Sequence, residues 1–109
     1  MNILRNLYRL LNQPQQTKAM TTFYRTKDGL ADYHFSIEQE DDGSWRAYIL
    51  SQPDYRGRPS DCHSTHRLSN DGRHYVCWTK QLRTEHEARQ VAAAWADATQ
   101  RYIRFGQSF

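Results

Sequence analysis

The sequence predicts a small α+β domain: an antiparallel sheet of about five strands in a meander, with one C-terminal helix packed on one face. Three observations carry this. Tyr33, Phe35 and Ile37 alternate with His34, Ser36 and Glu38, the pattern of a strand with one wet face. Asn70-Asp71-Gly72 separates two strand-like runs as a hairpin turn. Ala88, Val91, Ala92, Trp95, Thr99, Tyr102 and Ile103 recur at steps of three and four, the spacing of one helix face.

The remaining elements follow in chain order. Residues 2–11 (NILRNLYRLL) place Ile3, Leu4, Leu7, Leu10 and Leu11 at helical spacing between arginines, so a short amphipathic helix is expected there. Pro14 stops it, and the polar stretch to residue 19 reads as a linker. Residues 1–19 thus form a basic arm and linker, and 20–109 one domain. The arm is acid-free like a transit peptide but lacks serine, and its arginines exclude a secretory signal. Met20 opens a plausible second start.

Thr21–Thr26 is a strand candidate, followed by a turn at Lys27-Asp28-Gly29. Asp41–Ser44 is a hairpin loop. The next strand, Trp45–Leu50, turns Trp45, Ala47 and Ile49 to one side and Arg46, Tyr48 and Leu50 to the other. The second set is too apolar for open solvent and implies a cover: the arm, the 51–64 loop or a second subunit. Residues 51–64 form a long polar loop, and 65–69 and 73–79 are the last strands. Thr84 with Glu87 forms a capping box, and Gly106 ends the helix. Its apolar stripe is expected to lie on Phe35, Ile37, Ala47 and Ile49.

At 109 residues and 13.0 kDa the chain is the size of one domain. Its 38% hydrophobic and 25% charged residues exclude disorder and a coiled coil. No apolar run reaches the length of a transmembrane segment. Two cysteines do not make a disulfide scaffold, which suits a reducing, cytoplasmic setting. The net charge of +3 is unevenly spread. Residues 1–27 carry five bases and no acid, 28–54 seven acids against Arg46, and 55–83 six bases against two acids. Such a pattern steers an anionic partner, or pairs the acidic and basic regions of two copies.

Arg46, Tyr48, Arg56, Arg58, Arg67 and Arg73, interleaved with Tyr55, Tyr75 and Trp78, have the composition of a nucleic-acid surface. Arginine forks onto phosphate and stacks on bases. An ordinary arginine-rich surface has the same composition. Cys62, His63, His66, His74 and Cys77 offer zinc-like spacing, yet on a regular strand His74 and Cys77 point to opposite faces. Cys62 beside His63 meets the needs of a reactive thiol only loosely. Glu38, Glu40, Asp41 and Asp42 suit either a divalent cation or a solvated hairpin tip. No phosphate-binding glycine loop, nucleophile elbow or HExxH motif is present, so no cofactor is implied. A non-enzymatic binding module is the leading expectation, with a nucleic-acid or a protein partner; a homodimeric interaction protein is the alternative.

Three resemblances accompany these motifs. Gly43-Ser44-Trp45-Arg46-Ala47, followed by a basic hairpin and Leu82–Ala88, resembles the three-strand-plus-helix arm-binding domains of tyrosine recombinases over residues 33–104. That resemblance implies DNA binding by the sheet face, with Arg46, Tyr48, Arg67 and Arg73 turned to DNA. The long 51–64 loop and the additional first strand depart from that pattern. The same order is similar to the HicB-type antitoxin fold, without its proline-glycine-cysteine turn. The runs Gly72–Tyr75, Cys77-Trp78 and Trp95–Gln100 with Tyr102-Ile103 look like small uncharacterised bacterial proteins carried on integrative mobile elements.

Overall fold

The computed structural model describes residues 19–109. The helix expected over 2–11 and nearly all of the linker lie outside the described residues. Five strands form one antiparallel sheet: β1 (Ala19–Arg25), β2 (Asp32–Gln39), β3 (Trp45–Ser51), β4 (Arg67–Asn70) and β5 (Arg73–Val76). A one-turn helix, α1 (Cys62–Thr65), precedes β4, and the long helix α2 (Glu85–Phe105) closes the chain.

The strand order is β1-β2-β3-β5-β4. The first three strands run as a meander. The chain then crosses to the far edge, lays down β4, and returns β5 into the gap beside β3. The turn between them explains the tight return: Asp71 and Gly72 both have positive φ (50° and 75°), the two-residue geometry that matches strand twist. The strands expected over 65–69 and 73–79 are shorter than their sequence pattern. Asp61 caps α1 through the Ser64 N–H, so Thr65 is helical, and His66 turns the chain at φ 53°. Beyond Val76 the chain leaves β5, and Leu82 bridges to Trp45 through a 2.9 Å backbone bond.

The helix lies on the predicted face. Ala88, Val91, Ala92, Trp95 and Ala96 pack on Tyr33, Phe35, Ile37 and Ala47, joined by Val76 and Leu82, with Ile49 partly buried against them. The alanines let the helix approach closely, and Trp95 meets the rings of Tyr33 and Phe35 edge-on at 5.9 and 6.0 Å. Thr84 accepts the Glu87 N–H at 3.1 Å, which makes the N-cap half of the expected box; the Glu87 carboxylate takes the Thr84 hydroxyl at 3.5 Å in place of the Thr84 N–H. Gly106 takes the left-handed cap and donates to the Tyr102 carbonyl at 2.9 Å.

The crossover from β3 to β4 is anchored to the same helix. Tyr55 packs on Tyr102 and Ile103 in a second, smaller core. The Tyr102 hydroxyl donates to the Pro59 carbonyl at 2.7 Å, Arg58 Nε to the Ile103 carbonyl at 2.9 Å, and Trp95 Nε1 to the Thr65 carbonyl at 2.9 Å. A segment rich in proline and polar residues is held in place because two of its carbonyls accept from helix side chains and its Arg58 donates to the helix end.

Candidate functional site

The sheet face turned away from α2 carries the candidate surface. Strand alternation places Ser36 and Glu38 of β2, Arg46 and Tyr48 of β3, and Arg73 and Tyr75 of β5 on it. Tyr48 is 1% exposed although no element of the described chain lies over it. Its cover is made of side chains. The Arg73 guanidinium lies over the Tyr48 ring at 3.8 Å, and Arg46 over Tyr75 at 4.1 Å. The Tyr48 hydroxyl donates to Glu40 at 2.5 Å and accepts from Arg46 and Asn70, both at 3.2 Å.

Carboxylates of the acidic hairpin neutralise both arginines. Arg73 forks onto Glu38 with bonds of 2.7 and 3.1 Å, and Arg46 pairs with Glu40 at 3.3 Å. The fork gives the pair a fixed geometry as well as charge. The Arg73 guanidinium holds the Glu38 carboxyl below its ordinary value against the opposing effect of partial burial, and the Ser36 hydroxyl adds to it. The folded value of Glu38 is depressed, so its contribution to stability is present above the unfolded carboxylate value of about 4.3 and is lost as pH falls through the folded one. By carboxyl-resolved NMR titration, Glu38 is expected to titrate below the ordinary range. Arg73→Leu should return it toward that range; an unchanged midpoint would show that Arg73 does not hold it.

The six candidate nucleic-acid residues do not form one surface. Arg46, Tyr48 and Arg73 come together on the open face. Arg67, which the recombinase resemblance turns to DNA, stands on the other side of the sheet, because it pairs with core residue Val76 while Leu68 pairs with Tyr75. Its guanidinium spans Gln52, Ser60 and Thr65 over the Tyr55 ring. Arg58 is spent on the end of α2, and Arg56 sits exposed in the crossover at φ 55°.

The cysteine and histidine candidates are also dispersed. Among the described residues no three His, Cys, Asp or Glu side chains converge as metal ligands. Cys62 is exposed on α1 beside His63, and His66 stacks on Phe109 at 4.5 Å. The Arg67 guanidinium lies 3.5 Å from His74 Nδ1, where burial and that charge push the imidazole value down. A cation in that place is a poor neighbour for a metal ion. Cys77 is half-buried on the wall of a separate cleft. In the acidic hairpin, Asp42 accepts from the Ser44 N–H at 2.9 Å and from Gln81 at 3.2 Å, the bonds of a turn and its neighbour.

Two features escape sequence reasoning. One is the sheet edge. β1 has β2 as its one neighbour among the described residues and exposes Met20 and Phe23. Phe23 is 71% exposed and stacks on His34 at 4.0 Å. The other is the assignment of Glu38 and Glu40 to particular arginines. The opposed charges of the two segments hinted at pairing, but the partners depend on strand register.

No family model, curated protein or solved structure matches the chain. Fold and surface together define a small α+β module whose open face is closed by its own ion pairs. Among the described residues, no helix is long and apolar enough to cross a membrane.

Proposed function

We propose that the chain is a non-enzymatic interaction module whose partner is a second copy of itself, joined edge to edge through β1. The observation that carries this is the seven-residue edge strand with Met20 and Phe23 exposed on its two faces. A long, apolar edge is a template for further strand pairing unless charge, proline or a bulge blunts it. From Ala19 to Tyr24, β1 has none of these.

Antiparallel pairing centred on Thr22 aligns the whole strand and sets Phe23 against Thr21 across the two-fold axis. It also sets the partner subunit's Arg25 opposite Ala19, whose neighbour on β2 is Glu38. Both charges are already engaged within their own chains, Arg25 by Asp32 and Glu38 by Arg73, so the main-chain ladder and the Phe23–Thr21 contact carry the pairing. The result is a continuous ten-stranded sheet, twice the five of one chain.

The nucleic-acid reading has less support. Arg46 and Arg73 already hold carboxylates, and phosphate must displace them before it binds. The free cysteines and the resemblance to mobile-element proteins suit a reducing intracellular compartment as part of the same proposal.

Sedimentation at tens of micromolar tests the reading, with and without a mixed-sequence DNA duplex at low salt. The expected result is a species of twice 13.0 kDa that Phe23→Lys converts to monomer without loss of fold. Phe23 is exposed, so the lysine disturbs the edge and not the core. A wild-type monomer that neither dimerises nor binds DNA overturns the proposal. A monomer that moves with DNA in a salt-sensitive way transfers the function to nucleic acid.

A further inference from the structure

We infer that the cleft between α2 and the segment after β5 is a binding site for a small, flat aromatic carboxylate. The site is separate from the β1 edge and stands independently of the dimer. Its volume is about 400 Å³, within the range of roughly 300–1,000 Å³ typical of small-molecule sites.

The body of the cleft is apolar. Ala94 and Ala98 are one turn apart on α2, and their short side chains leave a trough along the helix. Trp95 lies beneath, almost wholly buried, with its ring nitrogen bonded to the Thr65 carbonyl, so it closes the base of the cleft without offering a polar group. Trp78 borders the cleft and is 44% exposed, a large aromatic left uncovered beside it. One exposed indole beside a trough of alanines suits a flat, apolar guest.

Charge selects the rest of the ligand. Arg101 lies one further turn along the same helix face and reaches the cleft. Among the described residues, ion pairs engage Arg25, Arg46, Arg73, Arg89 and Arg104, and none engages Arg101. No aspartate or glutamate lines this cleft. Among the side chains that line it, the Arg101 guanidinium is thus the one fixed charge, and it favours an anionic group over an ammonium. The planar fork of arginine favours a carboxylate in particular. Thr79, beside Trp78 in the segment after β5, adds a hydroxyl.

The test is a charge series on one ring system. Indole-3-acetate, indole and tryptamine are titrated into the isotope-labelled full chain at low salt, and the ring N–H signals of Trp78 and Trp95 are followed. The acid is expected to saturate the Trp78 shift with an affinity about tenfold above tryptamine. Arg101→Gln should remove that preference and leave the affinity for indole itself unchanged. Arg101 is exposed, so this variant keeps the fold. No saturable Trp78 shift with the acid up to about 10 mM overturns the site. Equal affinity for acid and amine in the wild type, or a preference that survives Arg101→Gln, overturns its anion selectivity.

Discussion

Trp95→Ala is expected to destabilise the domain by about 3–5 kcal/mol, the range for removing a fully buried large aromatic side chain. Trp95 is 2% exposed and sits where the helix, the sheet and the crossover meet. Its ring contacts Tyr33 and Phe35 edge-on, and its N–H satisfies the Thr65 carbonyl. Alanine leaves a void under β2 and an orphaned buried acceptor at Thr65. Such a cost is comparable to the whole stability of a small domain, about 5–15 kcal/mol. Trp95→Phe separates the two contributions: it keeps most of the ring contacts and loses the hydrogen bond, for about 1–3 kcal/mol. Urea unfolding followed by circular dichroism measures both. A loss under about 1 kcal/mol for Trp95→Ala would show that the core closes over the void, contrary to the packing described.

Asp97→Ala is expected to cost about 1–3 kcal/mol through the loss of two part-buried hydrogen bonds to its carboxylate. Asp97 is a buried carboxylate on α2 that accepts from the Tyr24 hydroxyl at 2.6 Å and from the Lys27 N–H at 2.9 Å. These two bonds tie the edge strand and its following turn to the helix, where few apolar contacts do so. The same bond sets an alkaline dependence. The hydrogen bond to Asp97, with burial and the Asp97 charge, raises Tyr24 from 10.0 to about 12. The folded value is raised, so the stabilisation is fully present below about pH 10 and is lost as pH rises through about 12. Tyr33 and Tyr55, pushed up chiefly by burial, add to the same alkaline loss. The difference between wild type and Tyr24→Phe isolates the Tyr24 share. Unfolding midpoints compared at pH 9 and pH 11 should converge as pH rises; parallel curves would remove Asp97 from the account.

The edge strand matters here beyond stability. If Asp97→Ala loosens β1, dimer formation through that edge should weaken with it, although Phe23 is untouched. Phe23→Lys acts the other way, abolishing pairing while leaving the unfolding midpoint of the monomer near its original value. The two variants together distinguish a pairing edge from a merely unstable one.

Local chemistry in the sequence determined the elements that depend on near neighbours. The N-cap at Thr84, the left-handed stop at Gly106 and the turn at Asp71-Gly72 each involve residues within a few positions of one another. The alternation of Tyr33, Phe35 and Ile37 and the stripe from Ala88 to Ile103 likewise foretold which faces meet, because burial follows the period of the element. Four features rest on long-range placement. The insertion of β5 between β3 and β4 decides which strand lies beside Tyr48, and hence that Arg73 and Tyr75 form its cover. Register then joins Arg73 to Glu38 across 35 positions of sequence, turning a basic surface read from composition into a set of ion pairs. The exposure of Phe23 follows from β1 standing at an edge, and the cleft at Trp78 from where the crossover and tail leave α2 uncovered. Composition counts charges but holds no distances, and a charge acts on what lies within a few ångströms of it. The class of fold was therefore legible from the residues themselves, while the partners of its arginines were decided only when the sheet brought distant segments side by side.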